Sequence, residues 1–333
     1  MRVLLALGGN AMTNAAGRAR PEDQIAAATV AAEAVADLIA EGFDVVLTHG
    51  NGPQVGNLLV KNEIAAGVVP PVPLDWCGAQ TQATLGFVLM NALDAALAVR
   101  GVERRTATVV TRTLVASDDP GFDQPTKPVG RFLPRAEAEL LIEHGETWQD
   151  RGEKGWRRVV ASPEPLEIVD APAVGTLVDA GFVVIANGGG GIPVVRDPDG
   201  RIRGVEAVID KDLGAALLGA SLQVDALIIA TDVPNVVVGF GTPEARPLHR
   251  VRQRELRDLA ARGEFAAGSM GPKVEALLRF VHRSGTHAAI CALDDIVKAA
   301  HGDAGTIVAA DDQDPIVASG DSDPIVASGD SDF

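Results

Sequence analysis

Short apolar runs rich in β-branched residues alternate along the chain with longer stretches in which alanine and leucine recur at helical spacing. The runs that predict strands lie at residues 3–7, 45–48, 108–111, 183–186, 226–230 and 288–292. Helical stretches lie between most of them, for example at residues 24–40 and 79–99. Runs that are apolar throughout are typical of strands buried on both faces. The pattern therefore predicts an α/β fold, an open sandwich in which helices cover a mainly parallel sheet.

Glycine-rich or polar turns follow four of these predicted strands, beginning at Gly8, His49, Asn187 and Thr231. Because ligands of open parallel sheets bind beyond the carboxyl ends of the strands, these turns are expected to converge on one site. One turn contains four consecutive glycines, residues 188–191, although each glycine costs roughly 0.5–1 kcal/mol of ordering entropy relative to alanine. We expect this backbone to let a bulky anion approach main-chain amides where a Cβ would obstruct it.

The composition allows a large core and excludes some partners. The chain has 333 residues, of which 47% are hydrophobic, enough for one large α/β domain or two lobes. The formal net charge is −16, and the sequence has no basic stripe suited to nucleic acid. A few lysines and amide donors can still bind phosphate in an acidic protein. We therefore expect small-molecule ligands, including nucleotides, and no nucleic acid.

The C-terminal residues 311–333 contain seven aspartates and no lysine or arginine. Within them the stretch DPIVASGDS, residues 314–322, is repeated at residues 323–331. Two copies are too few to bury the core of a solenoid. We predict a disordered acidic tail, or an artefact of the sequence end, with no part in the chemistry.

Cysteine usage and hydropathy indicate a soluble, cytoplasmic protein. Cys77 and Cys291 are the only cysteines, too few for a disulfide framework in a chain of this size. The first apolar run, residues 3–7, is shorter than the roughly 7–15 apolar residues of a signal peptide. No run approaches the roughly 20 apolar residues of a membrane span, so no membrane partner is expected.

Residues 113–168 differ in composition from the rest of the chain. They contain many prolines and charged residues, together with Trp148 and Trp156. A long stretch of this kind between two predicted strands is typical of an excursion from the sheet. We predict a small protruding subdomain rich in β-structure.

Familiar nucleotide and metal motifs are missing from the sequence. GxxxxGK[ST] and HExxH match nowhere, and residues 50–56, GNGPQVG, miss the dinucleotide fingerprint by one residue. The six histidines show no metal-ligand spacing. The turns GGNA (8–11) and HGNGPQ (49–54) could instead form an anion nest from consecutive amides at strand-to-helix connections. The alternative is that their glycines only permit tight turns.

Three lysines lie in unusual surroundings: Lys127 in QPTKPVG, Lys211 in VIDKDLGAA and Lys273 in GSMGPKVEA. Phosphoryl transfer requires positioned positive charge more than covalent chemistry, because negative charge spreads over the oxygens of the migrating group. A lysine ammonium is a compact cation suited to that task. Lys273 opens a predicted helix, where a lysine is electrostatically unfavourable. That position favours a functional role.

Lys211 is flanked by Asp210 and Asp212. These carboxylates could hold its ammonium group, orient a partner lysine or bind Mg²⁺. Alternatively, VIDKDL is a solvated helix N-terminus, where acidic residues are stabilising. The residues alone leave these alternatives open.

Taken together, these motifs resemble those of the carbamate kinases within the amino acid kinase family, from residue 3 to about residue 308. The matching stretches are ALGGNA (6–11), THGNGPQVGNLL (48–59), PLDWCGAQTQATLGF (73–87), VVTRTLVASDDPGFDQPTKPVGRFL (109–133), VVASPEP (159–165), ANGGGGIPV (186–194), GVEAVIDKDL (204–213), TDVPNV (231–236) and FAAGSMGPKVEA (265–276). The QPTKPVG and PLDxCGA stretches separate carbamate kinases from other members of the family.

The resemblance implies reversible phosphoryl transfer between ATP and carbamate, giving ADP and carbamoyl phosphate, with Mg²⁺. In this family the reaction usually runs toward ATP in arginine or purine breakdown. The resemblance also implies an αβα sandwich of about eight mostly parallel strands, in a homodimer. A lobe of residues 1–220 would bind carbamate or carbamoyl phosphate and carry the protruding subdomain. Residues 221–310 would form the nucleotide-binding lobe.

The site residues follow from the same resemblance. Lys127 would act as a cationic lid, and Lys211 and Lys273 would neutralise the migrating phosphoryl group, oriented by Asp212 and Asp210. The residues implied to bind carbamoyl phosphate are Gly8, Gly9, Asn10, Gly50, Asn51, Gly52, Gly189 and Gly190. Those implied to bind the nucleotide are Asp210, Ala230, Thr231, Asp232, Val233 and Met270. No residue is implied as a direct metal ligand.

The chain departs from the family pattern at residues 236–243, VVVGFGTP, and it contains no tyrosine. Adenine packing is therefore less well defined than the phosphoryl chemistry. Two other readings stay open: a kinase of an amino-acid carboxylate such as acetylglutamate or glutamate, and a nucleotide- or anion-sensing module without turnover. The proline-bounded PLDWCGAQ stretch favours the smaller substrate, and the retained lysines favour turnover.

Overall fold

A computed structural model of the chain describes residues 1–8, 20–266, 268–284 and 286–311. The strands are β1 (Arg2–Leu7), β2 (Asp44–His49), β3 (Thr106–Thr108), β4 (Arg112–Leu114), β5 (Lys127–Leu133), β6 (Trp148–Asp150), β7 (Trp156–Val160), β8 (Glu167–Ile168), β9 (Val183–Ile185), β10 (Ile192–Arg196), β11 (Ile202–Gly204), β12 (Ala226–Thr231), β13 (Val237–Val238), β14 (Arg246–Pro247), β15 (Arg250–Arg252), β16 (His287–Ala292) and β17 (Thr306–Ala309). The helices are α1 (Pro21–Ala40), α2 (Gln54–Ala65), α3 (Leu74–Val99), α4 (Arg135–Glu143), α5 (Ala171–Asp179), α6 (Lys211–Ser221), α7 (Gln253–Ala261), α8 (Met270–Ser284) and α9 (Ile296–Ala300). Short 3₁₀ turns occur at Gly152–Lys154, Gly188–Gly190 and Leu293–Asp295.

The central element is an eight-stranded sheet with the order β15-β17-β16-β12-β1-β2-β9-β3. Its paired strands are parallel except for β16 and β17, which run antiparallel. Strand β1 lies between β2 and β12. The carboxyl ends of these three strands therefore meet at one edge of the sheet, as expected for a ligand site.

Helices cover both faces of this sheet and bury its central strands, whereas the end strands β3 and β15 are partly exposed. Along β1, Leu4 and Ala6 contact the core shared with α6 and α8. Val3, Leu5 and Leu7 contact the opposite core, shared with α1 and α3. This alternation follows from the two-residue period of a strand, and it explains why the run is apolar throughout. The prediction of a three-layer αβα sandwich with about eight strands is confirmed.

One strand lies earlier in the chain than predicted. The run at residues 108–111 forms the end of β3 and the connection to β4, and only Thr108 belongs to the main sheet. The amide of Val109 still donates to Ile185 O, but the amide of Thr111 donates to the side chain of Gln82. The chain therefore leaves the sheet here, because a side chain of α3 replaces the neighbouring strand as its partner.

The predicted excursion contains a separate small sheet. Strands β5, β7 and β6 form a three-stranded antiparallel sheet, with α4 in the connection between β5 and β6. A core of Leu133, Ala138 and Trp148 holds the helix against it. We call residues 127–160 the flap. It packs against α2, where a Cβ on Gly56 would lie 3.1 Å from the Cα of Gly130.

The expectation that no segment resembles a membrane span needs one correction. In the described part of the chain, α3 is long and apolar enough to cross a membrane by length and composition. Its packing explains this composition, because Leu85, Leu89 and Leu93 are fully buried in the core against α1 and the sheet. Polar residues interrupt the apolar sequence of α3, so it contains no continuous apolar run of the length of a membrane span.

The division into lobes at residue 220 stays a prediction. Strand β1 from the first segment pairs directly with β12 from the second, so both segments contribute to one continuous sheet. The repeat in the predicted acidic tail lies outside the described residues, as do Gly9 and Asn10.

Candidate active site

A cavity of about 770 Å³ opens at the carboxyl edge of the main sheet. Residues that end or follow β1, β2 and β12 line one side, and the flap lines another. Residues at the starts of α6 and α8 complete the wall. Of the residues expected at the site, the cavity wall contains Gly8, Gly50, Asn51, Gly52, Lys127, Gly189, Asp210, Lys211, Asp212, Ala230, Thr231, Asp232 and Lys273.

One buried carboxylate holds two of the predicted lysines side by side. Lys211 Nζ lies 2.5 Å from Asp212 Oδ1, and Lys273 Nζ lies 3.0 Å from Asp212 Oδ2. Lys211 is the first residue of α6, and Lys273 lies in the first turn of α8. These two helices pack against each other beside the sheet, so Lys273 reaches the carboxylate of Asp212, 61 residues earlier in the sequence.

Burial and neighbouring charges shift the pKa values of Asp212 and Lys211. Burial opposes ionisation of Asp212, but the neighbouring ammonium groups of Lys211 and Lys273 outweigh it and lower the pKa of Asp212. Burial lowers the pKa of Lys211, and the charge of Lys273 lowers it further, while Asp212 opposes both effects. With all three groups ionised the cluster carries one net positive charge. It is therefore preorganised to accept a phosphoryl anion without first reorienting water.

The third lysine reaches the cluster from the flap. Lys127 begins β5, and its Nζ lies 2.8 Å from Asp210 Oδ2. Asp210 is also the N-cap of α6, where its Oδ1 accepts the amides of Asp212 and Leu213. The sequence reading assigned Asp210 to the nucleotide and to orienting the other lysines. In the structure its ion pair is with Lys127, because the flap folds over the start of α6.

The four-glycine turn is required by the protein's own packing. Gly189, Gly190 and Gly191 have φ of 66°, 89° and 91°, the left-handed region that other residues avoid. A Cβ on Gly189 would lie 2.2 Å from Asn51 Oδ1, and one on Gly190 would lie 2.8 Å from Ile209 O. Protein atoms occupy the space that Cβ atoms would need, so the fold requires these glycines with or without a ligand, and the approach of an anion to this backbone stays a prediction.

Two of the four glycine amides of this turn are used within the turn itself. Gly190 N donates to Asn187 O at 3.0 Å, and Gly191 N donates to Gly188 O at 3.1 Å. Gly190 does not line the cavity, whereas Gly189 does. Direct anion binding by the amide of Gly190 would therefore require the turn to open, because that donor is already paired.

Two further predicted nest residues also have paired amides. Gly8 N donates to Ala230 O at 2.9 Å, and Gly50 N donates to Leu7 O at 3.2 Å. These bonds extend the sheet pairing by one residue past the strand ends. Both residues still line the cavity. Their amides are not free donors there, but the lack of a side chain lets a ligand come close to their backbone.

The expected nucleotide residues separate into two groups. Ala230, Thr231 and Asp232 end or follow β12 and line the cavity, with Thr231 Oγ1 donating to Asp232 Oδ1 at 3.0 Å. Val233 and Met270 do not line it. Met270 begins α8 and packs against the core on that side of the sheet. A long apolar residue at a helix start satisfies core packing as readily as ligand contact.

Carboxylates facing the cavity could hold a metal only together with a ligand. Among the described residues no group of three or more His, Cys, Asp or Glu side chains is arranged for a metal. Asp210 and Asp212 both face the cavity and are paired with lysines. One or two carboxylates plus nucleotide phosphates are the usual Mg²⁺ ligands in kinases, so these residues fit a cation that arrives with the nucleotide.

The sequence reasoning missed a buried polar scaffold behind the site. Gln82 Nε2 donates to Thr111 O and Gly188 O, and its Oε1 accepts Thr111 N. Thr81 Oγ1 donates to Asn51 Oδ1 at 3.0 Å. These α3 side chains tie the glycine turn to the turn after β2. Thr81 and Gln82 lie in the PLDWCGAQTQATLGF stretch, where the polar-rich run QTQAT (80–84) in a largely apolar helix was the available signal.

The fold and the site together define a class of protein. An open αβα sheet with three lysines gathered around two carboxylates at its carboxyl edge is the arrangement of a phosphoryl-transfer site. The sequence profile of the Amino acid kinase family matches residues 1–292. The chain belongs to the amino acid kinase family.

Relatives within this family are similar over almost the whole chain. A carbamate kinase of Thermococcus kodakarensis is 44% identical over 311 residues, covering 92% of this chain and 98% of the relative. The carbamate kinase-like protein YqeA of Escherichia coli is 42% identical over 312 residues, covering 92% and 98%. The solved structure of a Giardia lamblia carbamate kinase bound to AMP-PNP superposes with a TM-score of 0.89 at 41% identity, covering 93% of this chain and 98% of that one.

Proposed function

We propose that this chain is a carbamate kinase, which transfers a phosphoryl group reversibly between ATP and carbamate to give ADP and carbamoyl phosphate. The observation that carries the proposal is the cluster of Lys211, Asp212 and Lys273 in one cavity with Lys127. Similarity to carbamate kinases over nearly the full length supports the same substrate pair.

In this proposal the protein acts by positioned charge and forms no covalent intermediate. The ammonium groups of Lys211 and Lys273 bind the oxygens of the migrating phosphoryl group, and Asp212 keeps both in place. Lys127 approaches the same group from the flap, exchanging Asp210 for a phosphoryl oxygen. Charge that develops in the transition state then meets fixed cations, which is the larger part of catalysis for this type of reaction.

The nucleotide is assigned to the side of the cavity formed by Ala230, Thr231 and Asp232. Support comes from their position at and just after the end of β12, a strand against which α6 and α8 pack, and from their place with Lys211 and Lys273 in the lining of one cavity. Asp210 or Asp212 would contact a Mg²⁺ ion bound together with the nucleotide phosphates, and that ion would neutralise part of their charge. Carbamoyl phosphate is assigned to the side lined by Asn51, Gly52 and Lys127.

A coupled assay tests the function. Purified protein is given carbamoyl phosphate and ADP, and ATP formation is followed beside ATP-dependent phosphorylation of acetylglutamate and of glutamate. We expect ATP formation from carbamoyl phosphate only. Phosphorylation of an amino acid would replace the proposal with a carboxylate kinase, and ADP binding without turnover of any substrate would replace it with a sensor.

We further propose a homodimer in the cytoplasm, formed through the outer face of α3. Trp76 and Phe87 are 60% and 58% exposed on that face, beside the end strand β3 of the main sheet. Large exposed aromatics are typical of interfaces. Sedimentation should give twice the monomer mass, and Trp76→Glu should give a monomer. Phe240→Glu, at an 81% exposed residue on another surface, is the control. A monomeric unmodified protein would contradict this assignment.

A further inference from the structure

An arginine of the flap lines the cavity without a counter-ion. Arg157 lies on β7, and its guanidinium carbon stands 5.0 Å from the centre of the Phe132 ring, a cation–π contact. In the described part of the chain it forms no ion pair, and its buried Nε–H has no hydrogen-bond partner. A buried donor left in this state costs about 1–3 kcal/mol.

Its neighbours show how unusual this is. Arg131, which also lines the cavity, pairs with Glu63 of α2 at 3.2 Å. Arg158, the next residue along β7, lies within 3.3 Å of Glu146 and 3.5 Å of Glu206. Carboxylates therefore neutralise Arg131 and Arg158, whereas Arg157 stays charged and available to a ligand.

The three lysines of the cavity wall also differ from Arg157, because each has a counter-ion. Lys127, Lys211 and Lys273 each contact an aspartate. Burial and the positive charge of Arg151 lower the pKa of Arg157, as expected for a cation without a carboxylate partner. A guanidinium stacked on a ring keeps its edge donors free, and that fork matches the oxygens of a phosphate.

We infer that Arg157 is a further substrate-binding residue, which captures the dianion of the acyl phosphate on the flap side of the cavity before its phosphoryl group reaches Lys211 and Lys273. This inference rests on the proposed function for the identity of the acyl phosphate. The anion site itself rests on the unpaired guanidinium and its place in the cavity wall. Phe132 holds the guanidinium by a cation–π contact.

Kinetics of Arg157→Gln test the inference, with Arg151→Gln as the matched control. Arg151 lies on the same flap, is exposed and pairs only with Gln149 in the described residues. Loss of a charge-assisted contact should raise the KM for carbamoyl phosphate roughly 10- to 100-fold. The kcat should change less than about threefold, and the KM for ADP should be unchanged. Arg157→Lys should fall between the two, since it keeps the charge and loses the fork.

Thermal unfolding separates a ligand site from a structural role. Arg157→Gln removes an unpaired, partly buried cation, so the Tm without ligand should stay equal or rise. Inorganic phosphate should raise the Tm of the unmodified protein and of Arg151→Gln, and should raise that of Arg157→Gln much less.

Two results would overturn the inference: kinetics of Arg157→Gln that match those of Arg151→Gln, or a lower Tm and kcat with an unchanged KM. Failure of the proposed function is distinguishable. In that case the unmodified protein forms no ATP from carbamoyl phosphate, while the phosphate-dependent Tm shift still reports whether Arg157 binds an anion.

Discussion

Replacing Lys211 with alanine is the sharpest test of the charge cluster. In the intact site Asp212 is contacted by Lys211 at 2.5 Å and by Lys273 at 3.0 Å. The substitution leaves Asp212 paired with Lys273, so the net charge of the cluster falls from +1 to zero. The migrating phosphoryl group then loses one preorganised cation and meets a neutral pair.

The magnitude follows from comparable donors. Removing one preorganised donor from a transition-state site costs about 10²- to 10³-fold in turnover, or roughly 3–4 kcal/mol of barrier. Stability should change little, because burial and Lys273 already disfavour the charged form of Lys211 and lower its pKa. The expected variant is therefore folded and slow.

The assay is steady-state ATP formation from carbamoyl phosphate and ADP, with folding checked by thermal unfolding. Lys154→Ala, an exposed lysine of the flap, is the control for the loss of one positive charge. The double variant Lys211→Ala and Lys273→Ala should lose much less than the product of the single losses, because both ammonium groups serve the same phosphoryl group. A folded Lys211→Ala protein with near-normal kcat would refute the reasoning.

Three further outcomes are expected. Lys127→Ala should raise the KM for carbamoyl phosphate about tenfold with the KM for ADP nearly unchanged, and equal losses for both ligands would contradict a flap cation on the acyl side. Gly189→Ala should lower the free energy of unfolding in urea by about 2 kcal/mol or more, since the φ of Gly189 is 66° and the new Cβ would meet Asn51. Gly67→Ala is the control, because a Cβ there would have no atom within 4 Å. Its free energy of unfolding should lie within about 0.5 kcal/mol of that of the unmodified protein. Burial lowers the pKa of His287, so the unfolded chain binds the proton more readily and stability should fall as pH drops below about 6.5, by up to about 1.4 kcal/mol per pH unit. A His287→Gln variant with an unchanged pH slope would rule out this group as the cause.

The apolar pattern by itself determined the layered architecture. A run that is apolar throughout, such as the one in β1, is buried on both faces, which requires helices on both sides of its sheet. The six apolar runs therefore predict the αβα sandwich. The glycine-rich and polar turns after these runs predict which edge of the sheet carries the site, because the carboxyl ends of neighbouring parallel strands meet at one edge. The sequence also indicated Lys273, because a lysine at a helix start is electrostatically unfavourable.

The tertiary structure decided which strands lie near the end of the sheet and which charged side chains pair. Strands β15 and β17 are short and gain their place only by pairing with each other and with β16, so their sequences carry little signal. Asp210 pairs with a lysine 83 residues away. Its neighbour Asp212 pairs with Lys211 and Lys273, and no local pattern distinguishes the two aspartates.

The four glycines and Arg157 show the same limit. A run of glycines signals backbone that passes close to something, but whether that neighbour is a ligand or Asn51 and Ile209 depends on which elements fold against the turn. In the sequence Arg157 does not differ from Arg131 or Arg158. The carboxylates that neutralise those two arginines, Glu63 and Glu146, lie in other segments of the chain. Residue identity and periodicity act within a few residues along the chain, whereas charge pairing and steric exclusion act through space between segments that only the folded chain brings together.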